Sequence, residues 1–175
     1  MFITQTPEEI KLSLELNANS AINAVRLAAA SLWCSPSDKF MAGVAAESEV
    51  SFRPGEFRLV ERSLVLGVDF KFIARVSGET PKPQNLIKIS CVLEAVYSLR
   101  PGFDPSDDQI KAFQSGNAVF NCWPYFREFI QNSVVRMHMP PPPVPFLRLM
   151  PPKKADARKV KRPAATKALN EAKPE

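Results

Sequence analysis

The sequence has few of the residues from which catalytic and metal sites are usually built. Its 175 residues include one histidine, three cysteines and six glycines. The glycines form no phosphate-cradling loop, and His138 falls in the last turn of a predicted helix, where the helix dipole accommodates it without catalysis. The paired acids Asp107 and Asp108 fit the first turn of a helix. We therefore predict a protein that is not an enzyme and that has no metal or cofactor.

The cysteines are also too few and too widely spaced for a disulfide framework or a zinc site. Cys34, Cys91 and Cys122 are odd in number and follow no repeated spacing. This pattern indicates free thiols in a reducing compartment. No run of 18 or more apolar residues occurs, and the N-terminal segment MFITQTPEEIKLSLEL has acids where a secretory signal has bases. We expect a cytoplasmic protein without membrane insertion.

The body of the chain has no excess of charge. The formal net charge is +5, but residues 153–175 contain eight of the 23 bases and three of the 18 acids. The rest of the chain therefore has fifteen of each, and it presents no surplus of positive charge to phosphates. The tail over 151–175 is rich in Lys, Ala and Pro. We expect this tail to be disordered, as a solvated segment or a weak electrostatic arm.

Two long alternating segments give the clearest structural signal. In 64–76 the even positions are apolar, and in 86–99 the odd positions are apolar. Each pattern predicts a strand with one buried face. The connection between them is about eight residues, which is too short for a parallel crossover, so we predict a long antiparallel hairpin.

The elements before this hairpin depend on capping and turn signals. The start Thr6-Pro7-Glu8-Glu9 predicts a helix over 7–16. Residues 20–34 are rich in alanine, which favours a helix, although they also fit an alternating strand. In 48–60 a Pro-Gly pair predicts a short strand, a turn and the start of another strand.

The segment after the hairpin predicts two helices. The first begins at Pro105-Ser106 and stops at Gly116, and the second begins at Asn121-Cys122-Trp123-Pro124 and ends before Pro140. The stretch PPPPVPFLRLMPP is then extended. The predicted fold class is α+β, an antiparallel sheet followed by helices.

The second predicted helix has more aromatic residues near it than one buried stripe would use. Phe126 and Phe129 fit a core-facing stripe with Ile130 and Val134. Other aromatic residues remain at Phe120, Trp123, Tyr125 and Phe146. Excess aromatic surface in a chain without an active site indicates a binding groove.

The same stretch resembles a known family. Trp123-Pro124-Tyr125-Phe126-Arg127-Glu128, followed by a helix and a proline-rich run that ends in Pro145-Phe146, is similar to the carboxyl half of the SecB family of export chaperones. The resemblance covers about residues 20–150 and implies a four-stranded antiparallel sheet followed by two helices. It therefore implies a strand for 20–34. It also divides the chain into an N-terminal extension with a short helix over 1–19, a SecB-like domain over 20–150 and the tail.

The resemblance implies an ATP-independent holdase that binds unfolded client proteins in an apolar groove and assembles as a homotetramer, a dimer of dimers. The clients would be proteins for export through the Sec translocase, with its motor ATPase as a partner, or an antitoxin in a toxin–antitoxin–chaperone system. Export members dock the motor through acidic residues on the exposed sheet face. Here that face reads Lys88, Ser90, Val92 and Glu94, and the tail is basic.

We expect six residues to line the client groove. They are Phe40, Met41, Phe120, Trp123, Tyr125 and Phe146, the first two from the loop after the 20–34 strand. A competing interpretation is a single-stranded nucleic-acid-binding module, in which aromatic rings on the sheet stack on bases. The zero net charge of the body weighs against it. A third interpretation is a scaffold that oligomerises and does nothing else.

Overall fold

The computed structural model describes residues 2–35, 46–76 and 84–150. A four-stranded sheet carries a layer of helices, and a small parallel strand pair lies beside them. The elements in chain order are β1 Phe2–Thr4, α1 Pro7–Ala18, β2 Ser20–Cys34, β3 Ala46–Val60, β4 Ser63–Val76, β5 Gln84–Leu99, α2 Asp107–Phe113, α3 Val119–Arg136 and β6 Arg148–Met150. The predicted four-stranded antiparallel sheet followed by two helices is confirmed.

The main sheet is antiparallel throughout and has the strand order β2-β5-β4-β3. The β4–β5 hairpin predicted from alternation is confirmed. Residues 20–34 form a strand, as the resemblance implied and against their helical propensity, because β2 pairs with β5 along its whole length. Within the described residues β2 and β3 are therefore the two edges of the sheet.

The predicted turn at Pro54-Gly55 is wrong, because β3 continues through it. The register between β3 and β4 shifts between Pro54 and Phe57, which is a β-bulge. A proline is tolerated here because β3 is an edge strand and its missing N–H faces no partner. The buried side chain of Gln114 donates to the carbonyl oxygens of Gly55 and Gly67, at 3.0 and 2.8 Å, and so fixes the bulge against the helices.

The first 19 residues pack against the rest of the fold. Thr6 forms a capping box with Glu9 at the start of α1, and α1 packs mainly against α2. Strand β1 pairs in parallel with β6, which joins the two ends of the described chain. The division into an extension and a domain at residue 19 stays a prediction, but the described contacts run across it.

The predicted helix stop at Gly116 is wrong. Residues Gln114–Ala118 form a π-helical turn that joins α2 to α3 without a break. The side chain of Gln5 donates to the carbonyl oxygen of Ala112 at 2.7 Å, and it lies so near Gly116 that a β-carbon there would meet it at 2.6 Å. Glycine is thus explained by this close approach and not by a helix end.

The core lies between the helices and the face of the sheet that they cover. Phe70 of β4 stacks on Phe126 of α3 with ring centroids 4.6 Å apart, and Tyr97 of β5 meets Phe113 of α2 edge-on at 5.1 Å. No described segment covers the opposite face of the sheet, which is called here the open face. In the described part of the chain, no helix is both long and apolar enough to cross a membrane.

Candidate functional site

Trp123 belongs to the core of the single chain. Its side chain is 4% exposed, and its ring packs against Phe52, Phe70 and Phe126. The indole Nε1 donates to the carbonyl oxygen of Pro145 at 3.1 Å. The helix was predicted to begin at Asn121–Pro124, but α3 begins at Val119, so Trp123 lies within the helix and its ring packs against the sheet.

Phe120 and Tyr125 are exposed, at 46% and 49%, but they lie on different flanks of α3. Five residues of helix turn through about 500°, which leaves the two side chains about 140° apart. Phe120 shares its flank with Trp123, whose ring contacts Phe52 of β3. Tyr125 shares its flank with Asn121, which donates to the Tyr97 hydroxyl of β5 at 2.9 Å. The structure therefore does not bring these two predicted groove residues together.

Phe146 lies on the Phe120 flank. It is part of the extended segment after α3, and it is 72% exposed, whereas its neighbours Val144 and Leu147 are buried. The guanidinium carbon of Arg127 lies 4.4 Å from the centre of the Phe146 ring. Arg127 is seven residues after Phe120, close to two helical turns, so the two residues share one side of α3.

Strand β3 extends this aromatic flank. Phe57 and Leu59 are opposite Leu66 and Leu64 of β4, so they point to the helix-covered face of the sheet. Both remain partly exposed at the sheet edge. The residues of this flank that are exposed or half-buried are called here the β3-side surface, and they are Phe57, Leu59, Phe120, Arg127 and Phe146.

A second apolar surface lies at the other edge of the sheet. Ile22, Leu27 and Leu32 of β2 are opposite buried residues of β5, so they also point to the helix-covered face, yet each is nearly half exposed. They span about 30 Å of strand. These three residues are called here the β2-side surface. No described segment covers it, and Tyr125 lies on the flank of α3 that faces this side of the sheet.

Comparison with known proteins identifies the fold. No protein-family model and no curated protein matches the chain. Its structure is similar to that of a SecB-like chaperone from Mycobacterium tuberculosis, solved in complex with a ChAD peptide from the HigA1 antitoxin, with a TM-score of 0.68. The two sequences are 17% identical, and the match covers 80% of this chain and 99% of that chain. The chain has the fold of the SecB-like chaperones.

A more distant similarity adds nothing to this assignment. A protein of unknown function from Streptococcus agalactiae matches with a TM-score of 0.40 and 8% identity, over 73% of this chain and 97% of that chain. The resemblance read from the sequence is thus confirmed at the level of the SecB-like fold.

On the open face of this SecB-like sheet, two central acids are paired with arginines. Glu94, at the middle of β5, accepts from Arg26 of β2 and from Arg58 of β3, each at 2.8 Å. Asp69 pairs in the same way with Arg53 at 2.8 Å. Glu94 is therefore held between two positive charges, and neither Glu94 nor Asp69 offers an unpaired negative charge to a partner.

The remaining reactive residues form no site. Burial raises the pKa of the Cys91 and Cys122 thiols to about 12, so both stay protonated. His138 has a φ of 57° just after the end of α3, a helix-terminating position. Among the residues that the structure describes, no cluster of His, Cys, Asp or Glu could hold a metal ion.

Two parts of the candidate surfaces were not predicted from the sequence, and two predicted groove residues fall outside the described part of the chain. Phe57 and Leu59 were missed because the Pro-Gly pair before them was interpreted as a turn. The β2-side surface was missed because alternation predicts which side chains share a face and not whether that face is covered. Phe40 and Met41, predicted for the groove, lie outside the described residues.

Proposed function

We propose that this chain is an ATP-independent holdase that binds non-native polypeptide segments at the β3-side surface. The observation that supports this most is that surface itself. Its aromatic rings lie on an aromatic core, beside the outer edge of β3, which pairs with no described strand. Aromatic rings offer large contact areas with few rotatable bonds to immobilise. The free edge of β3 can add main-chain hydrogen bonds to an extended client. Neither interaction depends on a particular client sequence or on a nucleotide.

Each predicted groove residue has a different place in this proposal. Phe120 and Phe146 contact the client directly. Trp123 forms the wall behind them and holds the Phe146 segment through Pro145. Tyr125 lies on the other flank, so we assign it to contacts between subunits. Phe40 and Met41 remain proposed client contacts from the β2–β3 connection.

An antitoxin-type client is favoured over proteins for export. A chaperone of the same fold has been solved with a peptide from an antitoxin. Export members dock the translocase motor through acids on the open face, and here the central acids Glu94 and Asp69 are paired with arginines. A basic docking partner would have to displace these pairs, which disfavours the motor as a partner. We therefore place Sec-dependent export second, and in either role we propose a cytoplasmic protein.

The β2-side surface supports a homo-oligomer. A long edge strand with exposed apolar residues is a template for pairing with another strand, and a second copy of the chain offers the same edge in a self-complementary, twofold arrangement. Such pairing would cover Ile22, Leu27 and Leu32 and leave β3 free for clients. We propose that two of these dimers form the tetramer.

The nucleic-acid alternative gains little from the structure. On the open face Arg26, Arg53 and Arg58 are paired with carboxylates and are not free for phosphates. Binding to RNA or DNA that falls steeply with salt, and that survives deletion of 153–175, would restore this alternative.

The proposed client surface can be tested with a double variant. We expect Phe57→Ser with Phe120→Ser to weaken binding to a fluorescent, permanently unfolded protein by about tenfold or more, because two partly buried aromatic contacts contribute roughly 1.5–3 kcal/mol. Leu14→Ser is the matched control, since Leu14 is an exposed apolar residue on α1. Fluorescence anisotropy without ATP measures both. If the double variant and the control bind alike, the client surface is elsewhere.

A further inference from the structure

Arg127 has an unusual environment within the β3-side surface. Its Nε atom is buried and has no hydrogen-bond partner. In residues 2–35, 46–76 and 84–150, no carboxylate lies within ion-pair distance of its guanidinium group. The ring of Phe146 lies over that group at 4.4 Å. The Arg127 guanidinium therefore lies under one aromatic ring, and its buried Nε has no partner among the described residues.

Arg127 lacks the partners that a partly buried charge normally has when its role is only to stabilise the fold. Charged groups that lose water normally gain an ion-pair partner and hydrogen bonds in exchange. A cation–π contact supplies only part of that exchange. Arg53 and Arg58 of the same chain each reach a carboxylate at 2.8 Å, so the lack of one at Arg127 is a local feature of the proposed client surface.

The backbone on either side of Phe146 is held in place, whereas its ring is largely exposed. The segment that carries Phe146 is anchored on both sides by Val144 and Leu147, which are buried. It is anchored again by the hydrogen bond from Trp123 to the Pro145 carbonyl. The Phe146 side chain itself points outward and is 72% exposed, so a change of its χ1 rotamer moves the ring while the backbone stays in place.

We infer that Arg127 is a specificity-determining residue that binds a carboxylate of the client, and that Phe146 covers it in the free chain. The inference rests on the proposed function and names the client's chemistry: an extended apolar segment that contains an Asp or Glu. The incoming carboxylate accepts two parallel hydrogen bonds from the guanidinium, one of them from Nε, in the bidentate geometry that arginine favours. The displaced ring packs on the apolar part of the client.

The test uses labelled peptides as defined probes. A set of twenty-residue peptides rich in Phe and Leu carries one Glu, moved stepwise along the sequence, and each has a counterpart with Gln at the same place. Anisotropy titration of the full-length protein measures the ratio of Gln to Glu dissociation constants. We expect at least one position where this ratio is about tenfold or more in favour of Glu, the size of a charge-assisted hydrogen-bond pair.

Variants assign that ratio to Arg127. We expect Arg127→Gln to reduce the ratio to about one, and Arg127→Lys to give an intermediate value because lysine keeps the charge but lacks the planar fork. Phe146→Ala should raise the ratio, since the cover is removed. Arg136→Gln is the control for general electrostatics and should leave it unchanged. Circular dichroism verifies that each variant is folded.

The outcomes separate this inference from the proposed function. If the peptides bind but no position discriminates Glu from Gln, the holdase proposal stands and the role of Arg127 is wrong. The same holds if Arg136→Gln lowers the ratio as much as Arg127→Gln. A Phe146→Ala variant with a ratio near one overturns the covering role of Phe146. If none of the peptides binds and aggregation is not suppressed, the proposed function itself fails.

Discussion

Replacing Trp123 with alanine distinguishes a core residue from a client-binding residue. The change removes three ring contacts, to Phe52, Phe70 and Phe126, and the hydrogen bond that holds Pro145. Truncating a buried tryptophan typically costs about 3–5 kcal/mol. A domain of this size is usually stable by about 5–15 kcal/mol. We therefore expect a loss of about 3–5 kcal/mol, a large share of the total stability.

The assay is urea unfolding followed by far-ultraviolet circular dichroism, at one protein concentration because assembly also contributes to apparent stability. Val135→Ala is the control, since Val135 is an exposed apolar residue on the same helix and should change stability by about 0.5 kcal/mol at most. Trp123→Phe should lie between them, because it keeps a ring but loses the hydrogen bond. A Trp123→Ala protein as stable as the control, with client binding lost, would refute the core assignment.

Two further predictions concern the thiols and the β2 edge. At pH 8 a thiol reagent should modify Cys34 in the native protein but not Cys91 or Cys122, because at a pKa of about 12 only about one thiol in ten thousand is ionised. Rapid reaction of all three thiols at pH 8 would contradict the buried placement. Since folding raises both pKa values from 9.0, the stability that these two thiols contribute is full below pH 9 and is lost as the pH rises from 9 to 12. Leu27→Glu should reduce the oligomer to smaller species, because it places a charge in the proposed pairing of two β2 strands. Leu14→Glu is the control and should leave the oligomer intact. Sedimentation measures the mass of both variants, and identical assemblies would exclude the β2 edge as the interface.

The hairpin of β4 and β5 could be predicted because its physical cause is local. One face is buried by the helices and the other is open, so polar and apolar residues alternate along both strands. Strand β2 could not be assigned from its residues alone. Its alanines favour a helix, and the pairing that overrides them comes from β5, some 70 residues later in the chain.

In the helical segment, by contrast, local sequence signals predicted helix boundaries that the structure does not have. Gly116 and Pro124 were interpreted as a helix end and a helix start, yet both lie inside a continuous helical segment. Gly116 is there because Gln5, which is distant in sequence, packs against it. A long-range contact of this kind leaves no local signal.

The candidate site was predicted in composition but not in arrangement. Of the six predicted groove residues, Phe120 and Phe146 are exposed on the β3-side surface, and their contact with clients stays a prediction. Helical geometry then separates Tyr125 from Phe120, and the sheet buries Trp123. The contribution of β3 and the uncompensated charge of Arg127 depend on which elements become neighbours, so only the folded structure reveals them.

The most direct test of the proposed function is suppression of protein aggregation without ATP. A thermally or chemically unfolded protein that aggregates alone is mixed with the full-length chain, and light scattering follows its aggregation. We expect near-complete suppression at about one oligomer per client, with the oligomer mass near four times 19.5 kDa. A monomer that leaves the aggregation rate unchanged would contradict the account.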